Sequence, residues 1–298
     1  MQLLSQLTAA LRKAWTPSFL RDVLCEFLGT TLFLFAGLAS VVLWPADLAP
    51  AANFPLDPVG LALKCSSSPL HVALGFGLSL VLVTTCLGPR ASGGVHLNPA
   101  VSLALALGLR VSPWRAVLYI GVQLLGGICA SATLHGISSA PLCGEGALNQ
   151  LAPGVYSSQA FAVEMFITFI LALVVFATGR PESPFQQLGP VAVGLSVTVG
   201  HLVTMSYTGC EMNPSRSFGP AVMALNFKNQ WVYWAGPCAG AMLAAVLRDV
   251  VLRPRWGCLR DWLLEFRGAV LLSPRSEPTS LEHTGAPGDP PPQPGARM

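Results

Sequence analysis

Charge is what this chain has least of. Of its 298 residues, 17 are Lys or Arg and 14 are Asp or Glu, so charged side chains make up only 10%. Soluble globular proteins carry about 25%, and the shortfall excludes a surface that faces water on all sides. A cleaved secretory signal is lacking too: Arg12, Lys13 and Arg21 precede the first apolar run, but no small-residue cleavage site follows before the run is complete. There is no Asn-X-Ser/Thr acceptor, since Asn213 is followed by proline. No ordered set of acid, base and nucleophile stands out, so an enzyme has little support. No cofactor and no metal are implied, and the net charge of +3 carries no nucleic-acid footprint.

What the chain does have is apolar length, with 52% of its residues hydrophobic. Six runs stand out: Leu24 to Trp44, Leu70 to Gly88, Trp114 to Leu134, Phe161 to Ala177, Val191 to Met205 and Trp231 to Leu247. Several reach the roughly 20 residues that cross a bilayer as a helix, and flanking polar residues lengthen the shorter ones. Six spans with both ends inside put fourteen of the 17 basic residues on the inner side and leave Lys64, Arg216 and Lys228 outside. That asymmetry is the positive-inside pattern, and it predicts cytoplasmic N- and C-termini. Cys25, Cys86, Cys129 and Cys238 lie in apolar segments as ordinary small thiols, whereas Cys65 and Cys143 fall in outer loops where they could pair.

The two halves of the chain share a plan. Glu26 sits in an apolar span, a second span follows, and then comes Ser92-Gly93-Gly94-Val95-His96-Leu97-Asn98-Pro99-Ala100 before a third span. Glu164 sits in an apolar span, another follows, and then comes Thr208-Gly209-Cys210-Glu211-Met212-Asn213-Pro214-Ser215 before the last. With three spans in each half, the second half enters the membrane from the opposite side, which places the functional site near the mid-plane. Asn98 to about Leu107 and Asn213 to about Ala224 are each about ten residues, roughly 15 Å of helix. That is half of a ~30 Å hydrocarbon core, so two such pieces meeting end to end make one span.

Asn-Pro is a helix-start signal with a physical basis. Asparagine caps through its side-chain oxygen, and proline suits the first helical position, where its missing donor costs nothing. The cap turns the amide NH2 away from its own helix, so two facing caps present donors to a shared space. There they would hold a passing water by its oxygen. The half-helix dipoles add about half a positive charge each at the same point, which opposes cations and interrupts a proton wire. Glycine allows the strained loop before each asparagine, and the carbonyls of Gly93, Gly94, Val95 and His96, and of Gly209, Cys210 and Glu211, are the expected rungs for a file of water.

These paired loops closely resemble the two signature loops of the aquaporins, or major intrinsic proteins, and the likeness runs from about Arg21 to Leu252. Gln123-Leu124-Leu125-Gly126, Gly200-His201-Leu202 and Trp231-Val232-Tyr233-Trp234 add to it. The resemblance implies an all-α membrane protein with six transmembrane helices and two re-entrant half-helices in two inverted repeats, a right-handed bundle. It implies pore asparagines Asn98 and Asn213 within signature loops that include His96, Pro99, Ala100, Pro214 and Ser215. A selectivity filter of Phe76, His201, Cys210 and Arg216 follows from the same likeness. Arg216 stays charged at any physiological pH, donates to water and repels cations, while Phe76 and His201 narrow the passage to about one water.

Relatives that pass glycerol carry a small residue in place of the histidine and an aspartate after the arginine. This chain has His201 and Ser217, and Ala221, Tyr233 and Trp234 also match the water-selective pattern. The implied function is a passive water channel in the lipid bilayer, a homotetramer with one pore per subunit, at the plasma membrane or in vesicles. A channel for small neutral solutes, an ion-leaky intracellular relative and a mainly structural junction protein are the alternatives. Glu26 and Glu164, costly within a membrane, are expected to accept hydrogen bonds from the irregular loop backbone. His71 and His135 read as packing residues.

Two departures from the family pattern stand out. Ser215 replaces the usual alanine, and its hydroxyl could add a hydrogen-bond partner. Glu211 replaces a small residue: directed at the mouth it would partly offset Arg216, and turned away it would change nothing. The second orientation is the expectation taken here. By domain, residues 1–20 form a cytoplasmic N-terminus and residues 21–252 the channel, with repeats at about 21–135 and 159–252. Residues 253–298 hold an amphipathic helix at Arg255 to Arg267, with Trp256, Leu259, Trp262, Leu263 and Phe266 on one stripe, and a Pro-, Gly- and Ser-rich tail. Ser273, Ser276, Thr279 and Ser280 in that tail are either kinase sites or simply solvated.

Overall fold

The structure, a computed structural model, describes residues 16–42, 68–138, 147–179 and 185–252. The Cys65–Cys143 pairing, the amphipathic helix and the tail lie outside the described residues, as do several of the basic residues that set the predicted orientation. Helices occur in the order α1 (Pro17–Val42), α2 (Pro69–Leu87), α3 (Pro99–Leu107), α4 (Pro113–Ile137), α5 (Ser157–Thr178), α6 (Gly189–Thr208), α7 (Pro214–Ala224) and α8 (Gln230–Leu247). Six of these are long and apolar enough to cross a membrane. The other two, α3 and α7, have nine and eleven residues and correspond to the predicted half-helices.

Burial in α1 shows how an apolar sequence makes a membrane bundle. Leu20, Leu24, Leu28 and Leu32 recur every fourth residue and are exposed, while Asp22, Glu26, Thr30, Leu34 and Leu38 recur at the same interval and are buried. Residues four apart share one helix face, so α1 turns leucine outward to lipid and carboxyl and hydroxyl groups inward. The same step puts Leu70, Leu74, Leu78 and Leu82 of α2 on the outside. A water-soluble helix would reverse this arrangement, and lipid removes the penalty for exposed leucine while leaving the penalty for exposed charge.

The first helix starts seven residues earlier than its apolar run, at Pro17, where the backbone N–H of Phe19 donates to Thr16 Oγ1 at 3.2 Å. Hydropathy misses this turn because Arg21 and Asp22 lie on it, and Asp22 is held inside by the N–H and hydroxyl of Ser92 at 2.9 and 3.2 Å. His135 departs from its expected packing role: it lies in the last turn of α4 and is exposed.

The helices approach closely where small residues meet. A Cβ placed on Gly194 of α6 would lie 2.6 Å from the carbonyl oxygen of Gly77 in α2, and one on Gly77 would lie 2.8 Å from that of Gly194. Such small-residue contacts bring backbones together where no hydrophobic force drives helices to associate. Segments 88–98 and 209–213 lead from α2 and α6 into the half-helices, so the bundle walls deliver both signature segments to its interior.

Candidate pore and selectivity filter

Each half-helix begins as its Asn-Pro dipeptide requires. Asn98 is extended (φ −157°, ψ 121°), and its Oδ1 accepts from the N–H of Ala100 at 2.8 Å and of Val101 at 3.4 Å. Asn213 is likewise extended, and its Oδ1 accepts from Ser215 N–H at 3.0 Å. Pro99 and Pro214 occupy the first helical positions. The two oxygens are therefore committed to their own helices.

The amide nitrogens cross between the halves. Asn98 Nδ2 donates to the carbonyl of Met212 at 2.7 Å, and Asn213 Nδ2 donates to the carbonyl of Leu97 at 2.8 Å. Each asparagine thus bonds to the residue that precedes the other one. A primary amide has two N–H donors, so one on each side ties the loops together and the second is left for the channel, whose lining includes both asparagines.

Those two carbonyls are aimed by an unusual backbone. Leu97 and Met212 adopt left-handed φ values of 56° and 52°, a region that costs a non-glycine residue of order 1–3 kcal/mol. Buried carboxylates hold both in place. Glu26 accepts from His96 N–H at 2.6 Å through Oε1, and from Leu97 N–H at 2.9 Å and Gln123 Nε2 at 2.8 Å through Oε2. Glu164 accepts from Glu211 N–H at 3.0 Å and from the Thr208 hydroxyl through Oε1, and from Met212 N–H at 3.0 Å through Oε2. Each left-handed residue is therefore gripped at its N–H by the glutamate of its own half and at its carbonyl by the asparagine of the other.

A cavity of about 1440 Å³ passes this junction. Its lining includes Asp22, Trp114 and Arg115, the two asparagines Asn98 and Asn213, and Phe76, His201 and Arg216. His201 stacks on Phe76 with ring centroids 4.4 Å apart, and the Arg216 guanidinium carbon lies 5.4 Å from the Phe76 centroid. His201 Nδ1 lies 3.0 Å from the Val197 carbonyl. A carbonyl can only accept, so the proton is assigned to Nδ1 and the buried Nε2 is left as an acceptor with no partner among the described residues. Arg216 Nη1 donates to the Ala147 carbonyl at 2.9 Å.

Of the four residues assigned to the filter, three line the cavity together. Cys210 does not: it is fully buried in the cluster that packs behind Phe76 and Met212. Of the expected rungs, Gly93, Gly94, Val95, His96 and Glu211 line the cavity, joined by Leu97 and Met212, whereas Gly209 and Cys210 do not line it. Ser215 is fully buried and its hydroxyl has no partner among the described residues, so the additional bond it could have made is absent there. Ala100, also fully buried, packs with Ala104, Ala241 and Ala244.

Glu211 is buried and not turned outward. Its Oε1 accepts from Ser217 N–H at 2.6 Å and its Oε2 lies 3.9 Å from Arg216 Nε, so the side chain turns back onto its own half-helix and lines the cavity there. This corrects the expected outward orientation: the left-handed backbone at Cys210 and Met212 turns the side chain back, and Ser217 N–H holds it. One network was not foreseen: His96 Nδ1 lies 3.0 Å from Ser102 Oγ, and Ser102 also bonds to Gln123. Its signal was in the sequence, because a serine stands four residues after each asparagine, at Ser102 and Ser217, and the residue two before each asparagine turns to meet it.

Six membrane-crossing helices around a cavity with two half-helices meeting in its middle define a channel protein of the membrane, all-helical and built as an inverted repeat. The description major intrinsic protein matches residues 13–248, and the chain belongs to that family, the aquaporins. It is 40% identical over 272 residues to the lens fiber major intrinsic protein of Lithobates pipiens, which spans 91% of this chain and 94% of that protein. To aquaporin-5 of Homo sapiens it is 41% identical over 246 residues, covering 82% and 85% of the two chains. To aquaporin-1 of Homo sapiens it is 41% identical over 244 residues, covering 82% and 86%. Among solved structures, the aquaglyceroporin from Plasmodium falciparum shares the fold at a TM-score of 0.65 and 24% identity, covering 79% of this chain and 98% of that one.

Proposed function

We propose that this chain conducts water passively and selects it over larger neutral solutes such as glycerol. The supporting observation is the stack of Phe76, His201 and Arg216 closing one cavity whose middle is set by Asn98 and Asn213. Two bulky rings and a fixed cation narrow that end of the path. The donors of Arg216 and the free acceptor at His201 Nε2 replace the hydrogen bonds a water molecule gives up on entering, which a hydroxylated carbon chain cannot fit. Further in, the remaining N–H of each asparagine turns the water oxygen towards the junction.

The reading extends to assembly and placement. The bias of basic residues puts the Arg216 mouth outside and both termini in the cytoplasm, in the plasma membrane or a vesicle membrane. The channel forms a homotetramer with one pore in each subunit, residues 21–252 forming the channel body. Osmotic swelling of oocytes expressing the chain tests the selectivity. Water should enter far faster than in uninjected cells while glycerol uptake stays at background, and Arg216→Val should admit glycerol. Equal entry of water and glycerol through the unaltered chain would refute the reading.

A further inference from the structure

The acid beside the filter has no counterpart in the other half of the molecule. The residue two before each asparagine occupies the same place in the repeat: His96 in one loop and Glu211 in the other, each facing the serine four after its asparagine. Where the first half has a ring, the second has a carboxyl group with a side chain that is fully buried. One of its oxygens is used by Ser217 N–H. The other, Oε2, has no hydrogen-bond partner among the described residues, and neither does Arg216 Nε, 3.9 Å away. The opposite edge of the guanidinium is taken by Ala147, so Nε is the edge turned to the acid.

An arginine alone in a narrow, water-poor passage presents a full positive charge to whatever enters. A carboxylate at ion-pair distance changes that field to a dipole, which weakens much faster with distance, and low local dielectric makes the cancellation stronger than it would be in water. What remains positive is the asparagine junction, where the half-helix N-termini meet. The titratable groups that face Glu211 are Arg216, Glu164 and, from the last long helix, Tyr233.

We infer that Glu211 is a specificity-determining residue of this filter: by lying against Nε of Arg216 it offsets the arginine's rejection of cations and leaves the asparagine junction as the remaining barrier, so the pore leaks small monovalent cations. The inference rests on the water-channel reading for the path but not for the ion. Glu211 acts through Arg216 and is a positioning residue for its field.

Full-length protein in planar lipid bilayers under a steep KCl gradient tests it, with osmotic water flux measured on liposomes from the same preparation. The unaltered chain should carry a current that reverses near the potassium potential. Glu211→Gln, which keeps an oxygen for Ser217 N–H and removes the charge, should move reversal towards the chloride potential. It should also lower the ratio of cation to water permeability on the order of tenfold. A purely structural role would scale the current without moving its reversal. An unaltered chain with no cation current above protein-free bilayers, or a Gln variant with unchanged reversal, would overturn the inference. Should the variant not assemble, the reversal potential of the unaltered chain still decides. Cation current without water flux would refute the water reading and uphold this one.

Discussion

Glu164 carries more of the loop architecture than any other single side chain on its half of the molecule. Its two oxygens gather the Thr208 hydroxyl and the N–H groups of Glu211 and Met212, and no other buried acceptor among the described residues meets those donors. Glu164→Gln would place an NH2 against them, leaving at least one buried N–H unpaired at a cost of about 1–3 kcal/mol. The variant should melt at a lower temperature in detergent and conduct less water, and an unchanged melting point would show that the carboxylate does not hold the loop. Ser215→Ala runs the other way. Its hydroxyl is buried without a partner among the described residues, so its removal should leave thermal stability unchanged or raise it by about 1 kcal/mol, and a clear loss would point to a partner for that oxygen.

At this scale the sequence was legible where chemistry is local. An asparagine before a proline caps the helix that follows it, and this needs no tertiary information. Glu211 was not legible in the same way. Its direction is set by left-handed residues on both sides, Cys210 at φ 55° and Met212 at φ 52°, and nothing in the residue types there announces that backbone. Cys210 illustrates the same gap, since its place in the motif suggested a lining residue and the turned backbone buries it instead.

Among elements, the six long helices and the two short ones follow from apolar length, proline and glycine, and their order is readable. Their contacts are not, because in lipid the faces that pack are chosen by small residues and buried polar groups rather than by an apolar stripe. Gly77 and Gly194 make the point: neither marks a turn, yet their backbones touch across α2 and α6. Gly194→Ala would force those helices apart and should destabilise the protein by about 1–3 kcal/mol, the usual scale of overpacking. Thermal aggregation of the purified variant in detergent reads this directly, and an unaltered transition would mean that the interface can yield.

Across the whole molecule, the inverted repeat turns two marginal helices into one functional centre. Neither half-helix spans the membrane, and each left-handed carbonyl is satisfied only by the other half's asparagine, so the junction exists only when both repeats are folded together. The duplicated plan was visible in the sequence as Glu, loop and Asn-Pro in the same order. The crossed hydrogen bonds that join the copies were not, because they link residues 114 and 116 apart in the chain. Water efflux from liposomes containing the purified full-length chain, followed by stopped-flow light scattering, tests that junction most directly. Efflux should be far faster than from protein-free liposomes, and Asn213→Leu, which removes both the cap and the crossed bond, should slow it on the order of tenfold or more. An efflux rate equal to that of bare lipid, or one untouched by the substitution, would contradict a shared path through the two asparagines.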